Sequence, residues 1–221
     1  MKRSQINTEI KEAMALFRQR GFCLPPFADW IPEEWKAKGP EADEIRQAGL
    51  GWDLTDFGLG EYDKYGLLLF TVRNGWLGGP KPYAEKLMVV KPGQVTVMHF
   101  HFQKMEDIIN RAGGRLLIRL YGATPEEGLS DQPLEASLDG VRRSCSPGEV
   151  VALSPGESIT LPPRLYHEFW GEEEPVIVGE VSSVNDDRID NRFLRPLGRF
   201  PKIEEDEPPF RLLCTEYPPA A

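Results

Sequence analysis

Residues 85–122 read EKLMVVKPGQVTVMHFHFQKMEDIINRAGGRLLIRLYG, and this stretch decides the fold class. It consists of short β-rich runs separated by Gly or Pro. The same pattern continues on both sides, from GLLLFTVRNG at residues 66–75 to PVIVGEVSS at residues 175–183. No long helical pattern separates the runs, so a parallel sheet with crossover helices is disfavoured. Many short strands with Gly/Pro turns predict a mainly-β chain, built as an antiparallel sandwich or barrel.

The N-terminal part of the chain differs from this pattern. Residues 1–20 predict one amphipathic helix, with Ser4 or Asn7 as its N-cap. Its apolar face is expected to hold Ile6, Ile10, Met14 and Phe17. Residues 22–60 are rich in Pro, Trp and Gly and predict an irregular segment that packs on the main body. The predicted division is a helix and irregular extension over residues 1–64, a barrel over residues 65–200 and a C-terminal tail over residues 201–221.

Charge and cysteine content narrow the classes of function. The 221 residues include 26 Lys and Arg against 35 Asp and Glu, a net charge of -9. Nucleic acid is therefore not an expected partner, because polyanion binding depends on basic side chains. Three cysteines without a CxxC pair exclude a disulfide framework and a thiolate zinc site, and they predict a cytoplasmic protein. No apolar run approaches the roughly 20 residues that span a bilayer, so no membrane partner is expected.

All three histidines of the chain fall in two strand-like segments. His99 and His101 are two residues apart, so in a strand both imidazoles face the same interior. Glu106 follows across a short turn, and His167 lies in LPPRLYHEFW. A lone histidine on a strand is often only a core residue, but three imidazoles and one carboxylate suit a divalent transition metal. Mn is the expected ion, and Zn, Co, Fe and Ni stay open because nitrogen and oxygen ligands do not select one.

The spacing around these residues resembles the two motifs of the cupin superfamily. The first motif matches at Gly93, His99, His101, Glu106 and Gly113. The second matches at Gly156, Pro162 and His167. Two positions depart from it, with Arg164 in place of the usual glycine and Gly171 in place of the usual asparagine. Both positions shape turns and do not bind metal. The resemblance implies a small antiparallel jelly-roll (cupin) barrel with the metal inside it.

Two longer stretches narrow the resemblance further. HFHFQKMEDIINRAGGRL at residues 99–116 and GEVSSVNDDRIDNRF at residues 179–193 are similar to the D-lyxose ketol-isomerases of the cupin class. The resemblance implies a metal-dependent enzyme that interconverts D-lyxose and D-xylulose through an enediol, with D-mannose and D-fructose as further substrates.

Moving a proton between C1 and C2 of a sugar needs an acid–base group that is not occupied by metal. Glu180 is the candidate, because a charge inside the apolar strand VIVGEVSS is costly unless a partner compensates it. The alternative is that Glu180 points outward to solvent. Lys104, next to the metal motif, is a second catalytic candidate, or else a solvated turn residue.

Three further residues are candidates for substrate binding. Lys86 is expected to enter the barrel, if Met88 and Val90 at its period-two positions face inward. Asp190 and Arg192 lie in a run dense in polar groups, and their alternative role is a loop salt bridge or a subunit contact.

Fold alone does not choose among cupin activities. The rival interpretations are a metal-dependent cupin oxygenase and a cupin that binds a sugar without turning it over. The expected partner is a monosaccharide, and a homodimer is the default assembly because jelly-roll edge strands often pair across a two-fold axis.

Overall fold

Both sheets of the protein are antiparallel, as the short punctuated strands predict. The computed structural model describes residues 1–184, 186 and 189–220. Within that part of the chain the strands are β1 Gly51–Thr55, β2 Leu67–Arg73, β3 Tyr83–Val90, β4 Val95–His101, β5 Glu106–Ala112, β6 Arg115–Gly122, β7 Leu134–Leu138, β8 Val141–Cys145, β9 Val150–Leu153, β10 Ser158–Leu161, β11 Leu165–Glu172, β12 Val176–Ser183 and β13 Asn191–Phe193. The helices are α1 Arg3–Gln19, α2 Pro32–Lys36 and α3 Asp43–Gln47, with 3₁₀ turns at Pro26–Asp29 and Pro40–Ala42.

The strands form two sheets that face each other as a barrel. An eight-stranded sheet has the order β1-β2-β3-β12-β5-β10-β7-β8, and a five-stranded sheet has the order β13-β4-β11-β6-β9. Alternate side chains of both sheets point between them and form one core. That core includes Leu69, Met88, Ile108 and Val178 from the large sheet and Ile118, Leu120 and Phe169 from the small sheet. The mainly-β prediction is confirmed.

A second core covers the outer face of the large sheet. Helix α1 buries Ile6, Ile10 and Phe17 against Trp52 and Phe70. β1 is therefore buried on both faces, which explains its continuous run of buried residues. The amphipathic helix predicted over residues 1–20 is confirmed. In the described part of the chain, no helix combines the length and apolar character needed to cross a bilayer.

Two local predictions for the N-terminal part are wrong. Helix α1 starts at Arg3, and Lys2 occupies the N-cap without a side-chain hydrogen bond. Neither Ser4 nor Asn7 caps it, because the backbone N–H of Ser4 donates to Oδ1 of Asp206 at 2.9 Å. A carboxylate from the C-terminal tail thus meets the positive end of the helix. Residues 22–60 are also not wholly irregular, since β1 pairs with β2 as the edge of the large sheet.

The tail is tied to α1 by the side chain of Arg3, which is 2% exposed. Its Nη2 lies 2.7 Å from Oε1 of Glu205, and its Nη1 donates to Oε2 of Glu216 at 3.2 Å. Charge-assisted hydrogen bonds contribute about 1.5–3 kcal/mol each. Since both glutamates stay within reach of water, we expect Arg3→Met to lower the free energy of unfolding by about 1–3 kcal/mol, measured by chemical denaturation.

The control for this prediction is Arg18→Met on the same helix. The side chain of Arg18 is 69% exposed, and its ion pair with Asp29 spans 3.4 Å. Exposed pairs contribute about 0–1 kcal/mol. Equal losses in the two variants would contradict a specific role of the Arg3 contacts.

Candidate metal centre

The two strands that carry the histidines are neighbours in the five-stranded sheet. β4 and β11 pair with His99 directly opposite His167, and His101 lies two residues along β4 on the same face. The ring centroids of His99 and His167 are 4.2 Å apart. One ligand nitrogen from each imidazole lies within 4.8 Å of the other two, and all three side chains are buried. The strands therefore bring His167 to the face that the sequence spacing predicts for His99 and His101.

Backbone hydrogen bonds fix the orientation of two of these rings. Nδ1 of His99 lies 2.7 Å from the carbonyl oxygen of Val97, and Nδ1 of His167 lies 3.0 Å from that of Leu165. A carbonyl can only accept, so each Nδ1 carries a proton, and in the neutral form of the ring this leaves the lone pair on Nε2. Burial, followed by the neighbouring His167, holds the pKa of His99 well below its usual range. Neutral rings with inward lone pairs are the form in which imidazole binds metals.

The carboxylate of Glu106 lies against the same rings. Glu106 is the first residue of β5, and its Oε1 is 3.2 Å from Nε2 of His101 and 3.2 Å from Nε2 of His167. Burial raises the pKa of Glu106, but the neighbouring ammonium group of Lys104 opposes it most strongly, and the pKa lies well below its usual range. The carboxylate is therefore ionised where it meets the imidazoles.

Three buried nitrogen and oxygen atoms of this group lack hydrogen-bond partners within the described part of the chain, as expected for atoms that bind a cation. Nε2 of His101, Nε2 of His167 and Oε1 of Glu106 have no hydrogen-bond partner among the residues that the structure describes. Buried polar atoms are rarely left unsatisfied, because each costs about 1–3 kcal/mol. A divalent transition ion satisfies nitrogen and oxygen lone pairs together. The donor set and its unsatisfied atoms therefore suit a metal ion.

Glu180 points into the barrel beside this group and is 4% exposed. On β12 it lies directly opposite Lys86 of β3, while its neighbour Val181 points outward to solvent. Its Oε1 is 3.1 Å from Nζ of Lys104 and 3.2 Å from Nζ of Lys86. Burial raises the pKa of Glu180, and the two lysines more than reverse this, so the pKa is lowered. Of the two orientations that the sequence left open, the structure has the inward one.

Lys104 links the two carboxylates. Its Nζ lies 2.6 Å from Oε2 of Glu106 and 3.1 Å from Oε1 of Glu180, and the side chain is buried. It is therefore not a solvated turn residue. Lys86 is buried too, with Met88 and Val90 of its strand in the barrel core. The period-two argument for Lys86 thus holds, and the two ammonium groups compensate the charge of Glu180.

Asp190 holds the turn that carries Lys104. Its Oδ1 accepts from the backbone N–H of Gln103 at 2.8 Å, and its Oδ2 accepts from that of Lys104 at 3.1 Å. The same Oδ2 is 4.0 Å from Nδ1 of His101. In this structure Asp190 positions the turn, and its contact with a sugar stays a prediction.

Arg192 lies on the other side of the small sheet. β13 pairs with β4 so that Arg192 faces Phe100, whereas Asn191 faces His101. Residues directly opposite each other share a face, so Arg192 points away from the imidazoles. Its Nε lies 2.5 Å from Oε2 of Glu127. This salt bridge is the alternative role that the sequence left open, and substrate binding by Arg192 stays a prediction.

Sequence reasoning did not single out two residues that border the site. The hydroxyl of Ser182 donates to Oε1 of Glu180 at 2.9 Å, and the ring of Phe193 lies 5.9 Å from that of His99. Ser182 is two residues from Glu180 on the same strand, so period two could have found it. Phe193 lies on a three-residue strand, which is too short to show a periodic pattern.

The departure from the cupin motif at Arg164 has a structural explanation. Arg164 adopts φ 63°, a left-handed conformation that glycine reaches without strain. Its backbone N–H donates to the carbonyl oxygen of His101 at 2.9 Å, and its guanidinium lies over the ring of Phe100 at 5.2 Å. The turn before β11 is therefore kept although the glycine is replaced.

Comparison with known proteins finds relatives that match almost the whole chain. A sequence model of the D-lyxose isomerase family matches residues 1–217. The D-lyxose/D-mannose isomerase of Serratia proteamaculans is 48% identical over 223 residues, which cover 98% of each chain. The D-lyxose/D-mannose isomerase of Escherichia coli O157:H7 is also 48% identical with the same coverage, and the D-lyxose ketol-isomerase of Cohnella laeviribosi is 30% identical over 79% of this chain and 98% of its own.

Among solved structures, the L-ribose isomerase of Acinetobacter sp. DL28 in complex with L-ribose superimposes with a TM-score of 0.59. The match covers 91% of this chain and 98% of that one at 16% sequence identity. At this identity the likeness shows a shared fold.

Proposed function

The chain belongs to the D-lyxose isomerase family, and from this membership we infer that it is an aldose–ketose isomerase that interconverts D-lyxose and D-xylulose and also D-mannose and D-fructose. The observation that carries this function is the position of Glu180. An ionised carboxylate, buried between two lysines and next to a set of metal-binding groups, is the acid–base group that an enediol route needs.

We propose that His99, His101, His167 and Glu106 together hold one divalent ion, with Mn as the proposed metal. The buried lone pairs of His101, His167 and Glu106 support this set. When bound, such an ion supplies a Lewis acid that favours negative charge on the sugar oxygens. The role of the four side chains is to fix its place next to Glu180 without taking part in proton transfer.

Glu180 is proposed to move the carbon-bound proton. Starting from the aldose, its carboxylate takes the proton from C2, which gives an enediol, and returns it to C1 to give the ketose. Isomerisation also requires the hydroxyl proton to leave O2 and a proton to reach O1. The ammonium group of Lys104, 3.1 Å from Glu180, is proposed to give a proton to O1 as Glu180 deprotonates C2, and then to take the O2 proton as Glu180 protonates C1, so that both groups end in their starting state. Lys86 and Ser182 contact the same carboxylate and hold it in place.

The direct test of this function is reconstitution. Protein freed of metal by a chelator is reloaded with single divalent ions and assayed on a panel of aldoses and ketoses. We expect no turnover without metal and turnover of D-lyxose and D-mannose with Mn. Full activity of the chelated protein would overturn the proposed role of the four-residue set.

Oxygen dependence separates an isomerase from an oxygenase with the same ligands. Isomerisation is redox-neutral, so we expect equal rates of D-lyxose turnover in air and under nitrogen. The measurement is the initial rate together with an oxygen electrode trace. Uptake of O₂ that depends on added sugar would favour the oxygenase.

We further propose a cytoplasmic homodimer. The buried Cys145 and the exposed Cys23 are free thiols, which is typical of a reducing compartment. Jelly-roll edge strands often pair across a two-fold axis, and sedimentation analysis of the purified protein tests the dimer.

A further inference from the structure

The barrel closes off one side of the proposed catalytic group. On the inner face of the large sheet, the paired residues Met88 and Val178 lie two positions deeper than the pair Lys86 and Glu180, and Ile108 lies directly opposite Glu180 on β5. All three apolar side chains are almost fully buried in the core. A sugar whose C1 and C2 reach Glu180 therefore cannot extend deeper into the barrel. Its remaining carbons have to point to the open end.

A cavity of about 310 Å³ lies at that open end and reaches Lys86. Its size falls at the lower end of the roughly 300–1,000 Å³ typical of small-molecule sites. We call it the Lys86 cavity, and its lining includes Asp53, Thr71, Asn74, Trp76, Lys86 and Phe200.

The inner face of the large sheet supplies the polar part of this lining. Thr71 lies directly opposite Lys86 in the β2–β3 register. Asp53 lies opposite Leu69, a residue of the barrel core, so Asp53 faces inward as well. Its Oδ2 accepts from Nη2 of Arg199 at 2.6 Å, which fixes the carboxylate in the cavity wall. Hydroxyl, amide and carboxylate groups beside an aromatic ring suit the hydroxyl groups and C–H faces of a polyol.

A second cavity of about 340 Å³ shares the same open end but differs in lining. We call it the Phe102 cavity, and its lining combines apolar walls from Phe102, Val184 and Ile189 with the polar side chains of Gln103, Asp186 and Asp190. Both carboxylate oxygens of Asp190 already accept from backbone N–H groups, and Asp186 also lines the Lys86 cavity. The Phe102 cavity thus adds fewer polar partners for sugar hydroxyls than the Lys86 cavity does, and each lost partner costs about 1–3 kcal/mol. The lining thus favours the Lys86 cavity for a sugar and disfavours the Phe102 cavity.

We propose that the Lys86 cavity is the subsite for the sugar carbons beyond C3, and that Trp76 forms the wall against which the end of a hexose packs. Trp76 then determines the preference between D-mannose, which has a sixth carbon, and D-lyxose, which has none. This inference rests on the proposed function, because the reacting carbons are placed at Glu180.

The test compares Trp76→Ala with Phe102→Ala. Trp76 and Phe102 are 45% and 37% exposed, so neither truncation opens the core. One small apolar group in a pocket changes kcat/KM about 10- to 200-fold. We expect Trp76→Ala to lower kcat/KM for D-mannose about tenfold and for D-lyxose less than about threefold. The ratio between the two sugars should stay unchanged in Phe102→Ala, and Trp76→Phe should restore most of the loss.

A ratio that is unchanged in Trp76→Ala, or shifted in Phe102→Ala, overturns the inference. Calorimetric binding of two unreactive polyols to the Mn-loaded protein gives a reading that does not depend on turnover. D-mannitol should lose more affinity than D-arabinitol in Trp76→Ala, and equal losses contradict the subsite. If wild type turns over no sugar but the polyol difference is found, the proposed function fails and the subsite stands.

Discussion

His167→Ala is expected to remove both the bound metal and the isomerase activity. The imidazole reaches the centre of the site from β11, and its Nε2 is one of the unsatisfied buried atoms there. Alanine removes that nitrogen and leaves the site with one ligand atom fewer. Even groups that only orient metal ligands change affinity about 10- to 100-fold, so we expect the loss of a ligand to exceed about 100-fold. Metal content after gel filtration and the rate with D-lyxose measure both effects, and His101→Ala should behave alike.

A matched control lies next to His167 on the same strand. Glu168 pairs with Arg119 on the outer face of the small sheet. Glu168→Gln changes the strand by one charge without reaching the imidazoles, and should keep both metal and activity. Stoichiometric tight metal binding by His167→Ala would refute the proposed ligand set.

Glu180→Gln is expected to lose turnover while it keeps the metal. Glutamine has nearly the same volume and most of the same hydrogen bonds, but it cannot accept a proton. A lost general base lowers the rate about 10²- to 10⁴-fold. The loss should appear in kcat with KM little changed, because the substrate still binds. Glu106→Gln should instead lower the metal affinity, and lose activity as a consequence, because Oε1 of Glu106 lies next to two imidazoles.

Exchange of the C2 hydrogen with solvent deuterium gives an independent measure of proton transfer. Glu180→Gln should lose exchange and turnover together. Glu9→Gln is the control, since Glu9 is a buried carboxylate paired with Lys91 at 2.7 Å, on α1 outside the barrel. It should retain wild-type rates. If Glu180→Gln holds its metal and isomerises at a near wild-type rate, proton transfer belongs to Lys104 or to a water molecule.

Part of the site was predicted from period two, whereas Glu106 and His167 were predicted from the spacing of the two cupin motifs. His99 and His101 share a face because they are two residues apart, and Lys86 enters the barrel together with Met88 and Val90. The orientation of Glu180 could not be predicted, because Val178 and Val181 lie on opposite faces of the strand and both are apolar. Only the pairing of β12 between β3 and β5 resolves which face is buried.

Contacts between distant parts of the chain could not be predicted in the same way. Asp206 binds the start of α1 across 202 residues of sequence, and a cap supplied from that distance leaves no local pattern near Ser4. The side of the sheet on which Arg192 lies depends on the register of β13 with β4. A strand of three residues is too short for an alternating pattern that would predict this register. Local periodicity therefore determined the metal-binding face, whereas long-range pairing determined the edges of the site.

The tail that holds α1 also sets an order of events during synthesis. α1 precedes in the sequence every strand of the sheet that it covers, but Glu205, Asp206 and Glu216, which bind its first turn, follow the last described strand, β13. Strands β1 and β2, which carry Trp52 and Phe70, are translated well before the tail and can already cover part of the apolar face of α1. The helix can thus dock on the sheet while the chain is still being made, whereas its first turn is secured only after the tail has been translated.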